Sequence, residues 1–371
     1  MLALKILSPF FFLAMRIFSV VVYLATILAA FGGRVNPDYL TFPSILTLVF
    51  PYLAILTIIL VVFWALSRKI FFCGFGILTI ILCLTPMSDA FPLASSRKPS
   101  GEGRVFKVMS WNVIHTRDVR QPDYPGNRAV EYMINSGADV IGLVELKEFS
   151  KNEMPNFTQS LKDSLFSVYP YHTGLKSSDI KVLSKYPVER IEKFSVDPSG
   201  KCRYDFFKIQ FPDNHELVLA MVHLFSFGLS DEERMVVTEI NSVQTAKTSM
   251  REFKGPIRSK LSHAFRERAM DAKMLREELD DISLDIPLIV CGDFNDVPAS
   301  WTYNVVRGDD LHDAYSETNF GPAITYNLHA FYFHIDQMLY RGPIEALNLT
   351  VGKINSSDHY PLIGEFQFLN P

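Results

Sequence analysis

Long uncharged runs and short apolar runs divide the 371-residue chain into two parts. Residues 17–31 are almost continuously apolar, and residues 42–66 and 70–86 contain no charged side chain. Because about 20 apolar residues cross the hydrocarbon core of a bilayer, we predict about three transmembrane helices within residues 1–88. A cleaved signal peptide is the alternative for the first run, but one early cut would leave the other two runs in place.

A stretch rich in Ser, Pro and Gly at residues 89–103 predicts a linker, followed by a folded domain over residues 104–371. Short apolar runs in this domain predict strands at residues 105–112, 140–145, 180–183, 206–211, 217–223, 288–292, 335–340 and 362–368. Helical periodicity predicts helices at residues 128–136, 156–166 and 262–279. Strands interleaved with helices predict one large α/β domain with mixed sheets.

Charge is distributed as unevenly as hydrophobicity. Up to Ser96 the chain has five basic and two acidic residues, which leaves 31 basic and 38 acidic residues in the remainder. The predicted domain therefore carries about −7, which argues against tight non-specific binding of long nucleic acid. A basic stretch at residues 251–260, predicted as a loop, is the local exception, and we interpret it as a solvated surface or a contact with anionic substrate or lipid.

Basic residues near the predicted span ends indicate the orientation. Four of them fall on the side of the N-terminus and three on the other side: Lys5, Arg16, Arg68 and Lys69 against Arg34, Arg97 and Lys98. This count favours a multi-pass integral membrane protein with a cytoplasmic N-terminus and an extracytoplasmic domain. Such a location would permit a Cys202–Cys291 disulfide, although none of the four cysteines has the spacing of a zinc site.

Polar side chains stand at the ends of several predicted strands. The chain places an amide, carboxylates and imidazoles there: Asn112, Glu145, His223, Asp293, Asn295, Asp336, Asp358 and His359. A charge that follows an apolar run, as Glu145 follows residues 140–144, needs a partner. Hard carboxylate and amide oxygens suit Mg²⁺ or Mn²⁺. The combination predicts one site for a metal ion and for proton transfer.

The order and context of these groups resemble the endonuclease/exonuclease/phosphatase superfamily, the DNase I-like metal-dependent phosphoesterases. The resemblance rests on Ser-Trp-Asn112, Gly-Leu-Val-Glu145, Val-His223, Gly-Asp293-Phe-Asn295, Ile-Asp336 and Ser-Asp358-His359, and it covers residues 104–368. It implies a four-layer α/β/β/α sandwich of two mixed sheets, with the site at one end. It also implies a hydrolase that acts on phosphate esters as a nuclease, a phosphatase or a lipid-headgroup phosphodiesterase.

The resemblance also implies roles for these residues. Glu145 would bind the metal ion, with Asn112 and Asp358 completing its shell. His359 would be the general base or would pair with the phosphate, oriented by Asp336. The other groups would act on the water and phosphate: Asp293 would align or deprotonate the attacking water, Asn295 would donate to a phosphate oxygen, and His223 would hold or protonate another. Sequence leaves open whether His359 or Asp293 takes the proton.

Two blocks depart from the family pattern. His334 stands where the family often has Arg, and Asp179 and Lys181 stand where small residues are frequent. We interpret Lys181 as a solvated strand residue or as a residue that faces substrate.

The leading hypothesis is thus a membrane-anchored Mg²⁺- or Mn²⁺-dependent phosphoesterase. Its partners would be a bilayer and a phosphate ester, which is a nucleic acid, a phospholipid headgroup or a small phosphodiester. Sequence indicates no protein partner. The alternative is a membrane-tethered binding or scaffold protein that retains the fold without activity, and it predicts loss of the metal and base positions, which are intact here.

Overall fold

Fourteen strands occur in the part of the chain that the structure describes, and they form two large sheets and a hairpin. The structure is a computed structural model that describes residues 2–118, 121, 123–175, 177–192, 203–228, 243–328 and 331–369. The strands are β1 (Val105–Asn112), β2 (Val140–Val144), β3 (Tyr171–Thr173), β4 (Lys181–Ser184), β5 (Val188–Arg190), β6 (Tyr204–Gln210), β7 (Glu216–His223), β8 (Leu288–Asp293), β9 (His312–Asp313), β10 (Tyr326–Leu328), β11 (Phe331–Phe333), β12 (Asp336–Arg341), β13 (Ile344–Val351) and β14 (Leu362–Phe368).

Both large sheets are mixed and have six strands. Their orders are β13-β14-β1-β2-β4-β3 and β5-β6-β7-β8-β12-β9, while β10 and β11 form a separate hairpin. Each large sheet has one parallel pair near its centre, β1 with β2 and β7 with β8, and the other described pairs are antiparallel. The eight strands predicted from sequence are confirmed, with ends shifted by at most two residues.

Ten α-helices lie within the described residues. They are α1 (Leu2–Gly32), α2 (Phe42–Leu48), α3 (Phe50–Leu66), α4 (Ile70–Leu82), α5 (Leu84–Ala90), α6 (Arg128–Asn135), α7 (Gln159–Val168), α8 (Val243–Asp280), α9 (Trp301–Arg307) and α10 (Ala314–Thr318). Helices α6, α7 and α9 begin at side-chain caps, where Asn127, Thr158 and Ser300 accept hydrogen bonds from main-chain N–H groups of the first turn.

Three apolar clusters hold these elements in layers. The central cluster lies between the two sheets and includes Val108 of β1 and Leu219 of β7. A second cluster packs α6 and α7 on the outer face of the first sheet, and a third packs α8 and α9 on the outer face of the second. The order helix, sheet, sheet, helix is that of a DNase I-like α/β sandwich. Both sheets bury one face against the other sheet and one against helices, which explains why their strands are apolar throughout rather than alternating.

The apolar first part of the chain forms five helices. Residues Pro9–Gly32 form one helix that is long and apolar enough to cross a membrane, with a mean hydropathy of 2.2. The predicted second and third spans are each broken: α2 and α3 meet at 63°, and α4 and α5 meet at 69°. By length and composition, the described residues thus contain one candidate span, or up to three if each bent pair is one span. Thr26 of α1 and Thr57 of α3 hydrogen-bond to each other at 2.8 Å.

The helices of this first part contact the sandwich directly. The amide of Asn304 in α9 donates to the main-chain oxygen of Gly33 at 3.3 Å, and Arg307 pairs with Asp89 at 3.1 Å. The stretch predicted as a linker lies against the sandwich, because main-chain bonds join Ala94 to Asn319 and Arg97 to Leu347. The predicted linker is therefore held in place along part of its length.

One sequence prediction is wrong, and six strands were not predicted: β3, β5, β9, β10, β11 and β13. The basic stretch predicted as a loop is helical, because α8 begins at Val243 and runs through Gly255 and Pro256. Strand β13 was not predicted, since a bulge between Ala346 and Asn348 breaks its pattern of side-chain alternation. Cys202, which an extracytoplasmic location would permit to pair with Cys291, lies outside the described residues.

Candidate active site

The ends of the central strands bring four of the predicted residues to one rim of the sandwich. Parallel strands β1 and β2 pair Asn112 with Val144, so Glu145 follows directly beside Asn112. Parallel strands β7 and β8 pair His223 with Asp293. Because strands in a parallel pair end on the same side, each sheet contributes its carboxyl-end residues to this rim.

Antiparallel neighbours bring the remaining groups to the same rim. Strand β12 begins at Asp336, which pairs with the last residue of β8, Asp293. His359 lies in the segment before β14, which runs antiparallel to β1, and the indole N–H of Trp111 in β1 donates to the His359 main-chain oxygen at 3.0 Å. Tyr326 of the β10–β11 hairpin forms a bridge with His359. The predicted residues therefore converge although they are far apart in sequence.

Asn112 links the two sheets at the centre of the rim. Its Nδ2 donates to Glu145 Oε1 at 2.9 Å and to Asp293 Oδ2 at 3.1 Å. The Asn112 Oδ1 accepts from the main-chain N–H of Ile114 at 3.2 Å, which fixes the amide plane. Glu145 has a φ of 57°, in the left-handed region that non-glycine residues rarely occupy. Strain of this kind clusters at functional sites.

His359 and Asp336 form a buried imidazole–carboxylate pair. His359 Nδ1 lies 2.8 Å from Asp336 Oδ2, and Nε2 lies 3.7 Å from Asp293 Oδ2. Burial disfavours the charged imidazole, but the carboxylates of Asp336 and Asp293 outweigh burial and raise the pKa of His359 to about 10. Burial and the nearby Asp336 charge raise the pKa of Asp293, and His359 offsets only part of that rise. The Asp336 contact leaves His359 Nε2 as the ring nitrogen that faces the centre of the rim.

His223 forms a second imidazole–carboxylate pair, with Asp179. Its Nδ1 lies 2.9 Å from Asp179 Oδ2, and its Nε2 lies 3.7 Å from Glu145 Oε1. Burial opposes protonation of His223, but the hydrogen bond and charge of Asp179 raise its pKa to about 9. Sequence noted Asp179 only as a departure from small residues. The sequence signal for this pair was a carboxylate just before strand β4 together with a histidine at the end of another strand.

Asn295 lies in a tight turn after β8. Its main-chain N–H donates to Asp293 Oδ1 at 2.8 Å, its φ is 52°, and its side-chain amide donates to the main-chain oxygen of Leu224 at 3.0 Å. The turn directs the Asp293 carboxylate, while Asn295 has one amide hydrogen and its side-chain oxygen available for other partners.

A fully buried arginine, Arg268 of α8, holds this turn. Its guanidinium donates to the main-chain oxygens of Asn295 and Phe225, lies 3.7 Å from the carboxylate of Asp296, and stacks 4.1 Å from the ring centroid of Phe227. Burial lowers the pKa of Arg268 and raises that of Asp296. Sequence left the role of Arg268 open. The structure shows that it fixes α8 to the turn that bears Asp293 and Asn295.

Asp358 is connected to the rim through a neighbouring hydroxyl. Ser357 Oγ lies 2.9 Å from the Asn112 main-chain oxygen and 3.3 Å from Asp358 Oδ1, and it accepts from the His359 N–H at 3.1 Å. Among the described residues, two groups have ligand atoms that all lie within 4.8 Å of one another: Glu145 with His223 and Asp293, and Asp293 with Asp336 and His359. Asp358 belongs to neither group.

The donor set fits a hard divalent cation. Asn112 Nδ2 bonds to both Glu145 and Asp293, so one small group already bridges the two carboxylates. Glu145 and Asp293 would hold a cation in place of this shared N–H donor. Carboxylate and amide oxygens are ligands that suit Mg²⁺ or Mn²⁺.

Two departures from the family pattern have structural explanations. Burial lowers the pKa of His334 to about 4, so this ring is neutral and does not replace the positive charge of an arginine. Lys181 is buried, and its ammonium donates to the main-chain oxygens of Leu175, Ser178 and Ile180. The interpretation of Lys181 as a solvated residue is therefore wrong: it stabilises the turn that holds Asp179.

Two mixed sheets packed face to face, with carboxylate, amide and imidazole groups at one rim, form a DNase I-like α/β sandwich. The model of the Endonuclease/Exonuclease/phosphatase family matches residues 109–359, and the chain belongs to this family. A second family model, described as a Domain of unknown function (DUF8431), matches residues 10–89. The comparison with curated proteins gives no match.

Three of the solved structures to which this chain is similar illustrate the comparison. They are D. rerio TDP2 complexed with single strand DNA product (16% identity, TM-score 0.47, 71% of this chain and 98% of that chain), truncated Caenorhabditis elegans TDP2 (17%, 0.46, 71% and 97%) and the human Nocturnin catalytic domain with bound sulfate anion (17%, 0.46, 71% and 94%). TM-scores below 0.5 carry no assignment, so family membership rests on the family model.

Proposed function

We propose that this chain is a membrane-anchored, divalent-cation-dependent phosphoesterase. The observation that carries the proposal is the convergence of Asn112, Glu145, Asp293 and the His359–Asp336 pair on one rim, with contacts of 2.8–3.1 Å within it. Phosphate esters are anionic and resist attack by water, so catalysis needs positive charge at the phosphate oxygens and an activated water. Membership of the family supports hydrolysis of phosphate esters.

The proposed cation is Mg²⁺ or Mn²⁺, held by Glu145 with Asn112 and Asp358 in support. The contacts of Asn112 with Asp293 add that carboxylate to the candidates. When bound, the cation would supply Lewis-acid polarisation of the phosphate and would favour ionisation of water. The chain itself places the carboxylates: the left-handed backbone of Glu145 turns its side chain toward Asn112 rather than away from the rim.

The proposed proton-transfer groups are His359 and Asp293. Asp336 holds His359 Nδ1 and thereby presents Nε2 to the rim. In the protonated form that its carboxylate neighbours favour, His359 pairs with the phosphate or gives a proton to the leaving oxygen, while Asp293 aligns the attacking water or takes its proton. In the neutral form His359 is itself the base. Asn295 and His223 would donate to phosphate oxygens, His223 being oriented by Asp179.

A leaving-group comparison separates these roles. A p-nitrophenyl leaving group needs no proton, whereas an alkyl leaving group does. If His359 acts as the acid, His359→Ala reduces the rate more for the alkyl ester than for the aryl ester, by ~10²-fold or more. If His359 is the base or pairs with the phosphate, the loss is equal for both. The same comparison for Asp293→Ala gives its role independently.

The proposed domain organisation is a membrane region at residues 1–88, a connecting stretch at 89–103 and a catalytic domain at 104–371. The membrane region would have about three spans, in which α2 with α3 and α4 with α5 each form one bent span. The catalytic domain would be extracytoplasmic, as the distribution of basic residues favours. Protection of the catalytic domain from added protease in oriented vesicles tests the orientation.

The test of activity uses the full-length protein in detergent with bis(p-nitrophenyl) phosphate. We expect hydrolysis with Mg²⁺ or Mn²⁺, its loss with EDTA, and rates reduced by ~10²–10⁴-fold in His359→Ala and by a similar factor in Glu145→Ala. Glu216→Ala is the matched control, because Glu216 is exposed at the opposite end of β7 from His223. Absence of metal-dependent hydrolysis of aryl, lipid and nucleic acid phosphodiesters, with both variants equal to wild type, would refute the proposal.

A further inference from the structure

A cavity of about 260 Å³ lies where the apolar helices meet the catalytic domain. Tyr52 and Ile55 of α3 line it on one side, with Phe91 just after α5. On the other side it is lined by Ile324 and His334, which lie before and after the β10–β11 hairpin. Its walls are almost entirely apolar. Its volume is somewhat below the ~300–1,000 Å³ of pockets that enclose whole ligands, so it suits part of a larger molecule.

The cavity is continuous with the outward surface of a proposed membrane helix. Tyr52 and Ile55 are 47% and 45% exposed, and on a membrane helix such exposed positions face lipid chains. The hydroxyl of Tyr52 donates to the main-chain oxygen of Tyr332 at 2.7 Å, which fixes the start of α3 to the hairpin beside the cavity. An acyl chain that lies along α3 can therefore enter the cavity and stay in contact with apolar side chains throughout.

His334 gives the cavity wall one polar feature. It is buried, and its hydrogen bond to the backbone of Asp336 only partly offsets the effect of burial, which keeps the ring neutral. Its Nε2 is buried and has no hydrogen-bond partner within the described parts of the chain. Because the other ring nitrogen donates to the Asp336 backbone, Nε2 of the neutral ring is an acceptor, and only a ligand group with an N–H or O–H could pair with it.

The cavity adjoins the candidate active site. His334 and Asp336 are two residues apart, which limits the distance between their Cα atoms to about 7 Å, and Asp336 contacts His359. Thr325, next to Ile324, accepts from the main-chain N–H groups of Ile335 and Asp336 at 3.0 Å each. The loop that lines the cavity and the strand that carries Asp336 are therefore one unit.

We infer that this cavity binds an acyl chain of a membrane phospholipid and thereby directs its phosphate to the rim formed by His359 and Asp293. The inference rests on the proposed function and names its substrate class as a lipid phosphodiester. Nucleic acid has no apolar chain that would fill the cavity, and the acidic charge of the domain does not favour a long polyanion. Val297 also lines the cavity, and only three residues separate it from Asp293. The cavity and the rim therefore lie close together.

Photo-crosslinking tests the inference without turnover. Full-length protein in phosphatidylcholine nanodiscs, doped with a phosphatidylcholine that carries a diazirine at the end of one acyl chain, is irradiated in EDTA and digested for mass spectrometry. We expect crosslinks on peptides of residues 322–328 and 331–334, besides those on the membrane helices. Ile324→Asp should reduce these domain crosslinks by roughly tenfold, because a carboxylate disfavours an apolar chain. Leu284→Asp is the matched control, because Leu284 is 63% exposed and does not line the cavity.

The outcomes separate this inference from the proposed function. Crosslinks confined to the membrane helices, or domain crosslinks equal in Ile324→Asp and Leu284→Asp, overturn the inference. Hydrolysis of bis(p-nitrophenyl) phosphate by wild type is measured in parallel. Hydrolysis without domain crosslinks leaves the phosphoesterase intact and refutes only the lipid site, and preferential cleavage of DNA or RNA over phosphatidylcholine refutes the substrate class. Domain crosslinks without hydrolysis of any aryl, lipid or nucleic acid phosphodiester refute the proposed function and the substrate class, and leave only the acyl-chain site.

Discussion

Removal of the buried guanidinium of Arg268 should destabilise the fold. Its removal as Arg268→Met keeps much of the side-chain volume but leaves the buried Asp296 carboxylate without its positive partner, 3.7 Å away. Two unit charges at that distance interact by about 4 kcal/mol at an effective dielectric constant of 20. Removal of one partner of a buried pair costs about 3–5 kcal/mol. We therefore expect a loss of stability in this range.

The same substitution should reduce activity, because the Asn295 main-chain oxygen loses its donor and the turn that directs Asp293 loses its support. We expect a lower kcat for bis(p-nitrophenyl) phosphate with little change in KM, since no group that contacts substrate is removed. Chemical denaturation followed by the fluorescence of Trp111 and Trp301 measures the stability. Arg266→Met on the exposed face of the same helix is the control and should change stability by less than ~0.5 kcal/mol.

A second substitution makes the reasoning refutable. Asp296→Asn in the Arg268→Met background removes the unpaired charge, so it should recover part of the lost stability. Burial raises the pKa of Asp296. A group whose pKa is higher in the folded than in the unfolded state makes the folded state more stable as pH falls. The loss caused by Arg268→Met should thus be smaller at low pH than at pH 8. A loss that is equal at both pH values and additive with Asp296→Asn would show that the ion pair is not the cause.

Three further substitutions or reactions test other contacts. Thr325→Val removes the acceptor of the Asp336 N–H and should lower kcat without abolishing folding, measured by turnover and by circular dichroism. Burial raises the pKa of the Cys291 thiol to about 12, so iodoacetamide should label it only in denaturant, as mass spectrometry would show. Burial opposes ionisation of Asp310, but its hydrogen bond with Arg341 lowers its pKa. Asp310→Asn should therefore cost about 1–3 kcal/mol of stability at pH 7. This difference should vanish as pH falls below ~3.9 and through the lowered folded-state pKa, as denaturation across pH would show.

Eight of the twelve strands in the two large sheets could be predicted because their apolar runs are strong local signals. The runs that end at Asn112 and at His223 each stop at a polar side chain, and within each sheet a parallel neighbour brings a second such end beside it. Contacts between side chains of the two sheets could not be predicted in this way. The contact of Asn112 with Asp293 joins strands of different sheets, and only the packing of the sandwich produces it.

Other features have no local signal in the sequence. In the sequence, Asp179 and Lys181 are only departures from the family pattern, and their roles follow from contacts that the turns around them create. The short strands and the bulged β13 lack a long alternating run. The breaks within the second and third apolar runs are also hidden, because a bent apolar helix has the same composition as a straight one.

The contacts of Asn304 with Gly33 and of Arg307 with Asp89 have a kinetic consequence. In the proposed membrane-anchored enzyme they would hold the sandwich against the helices instead of leaving it to rotate on a flexible tether, so the rim would keep one orientation relative to the bilayer. An enzyme fixed in this way encounters a lipid substrate by lateral diffusion in two dimensions. Its rate would then follow the mole fraction of substrate in the membrane rather than its bulk concentration, and inert lipid or detergent would slow it by surface dilution.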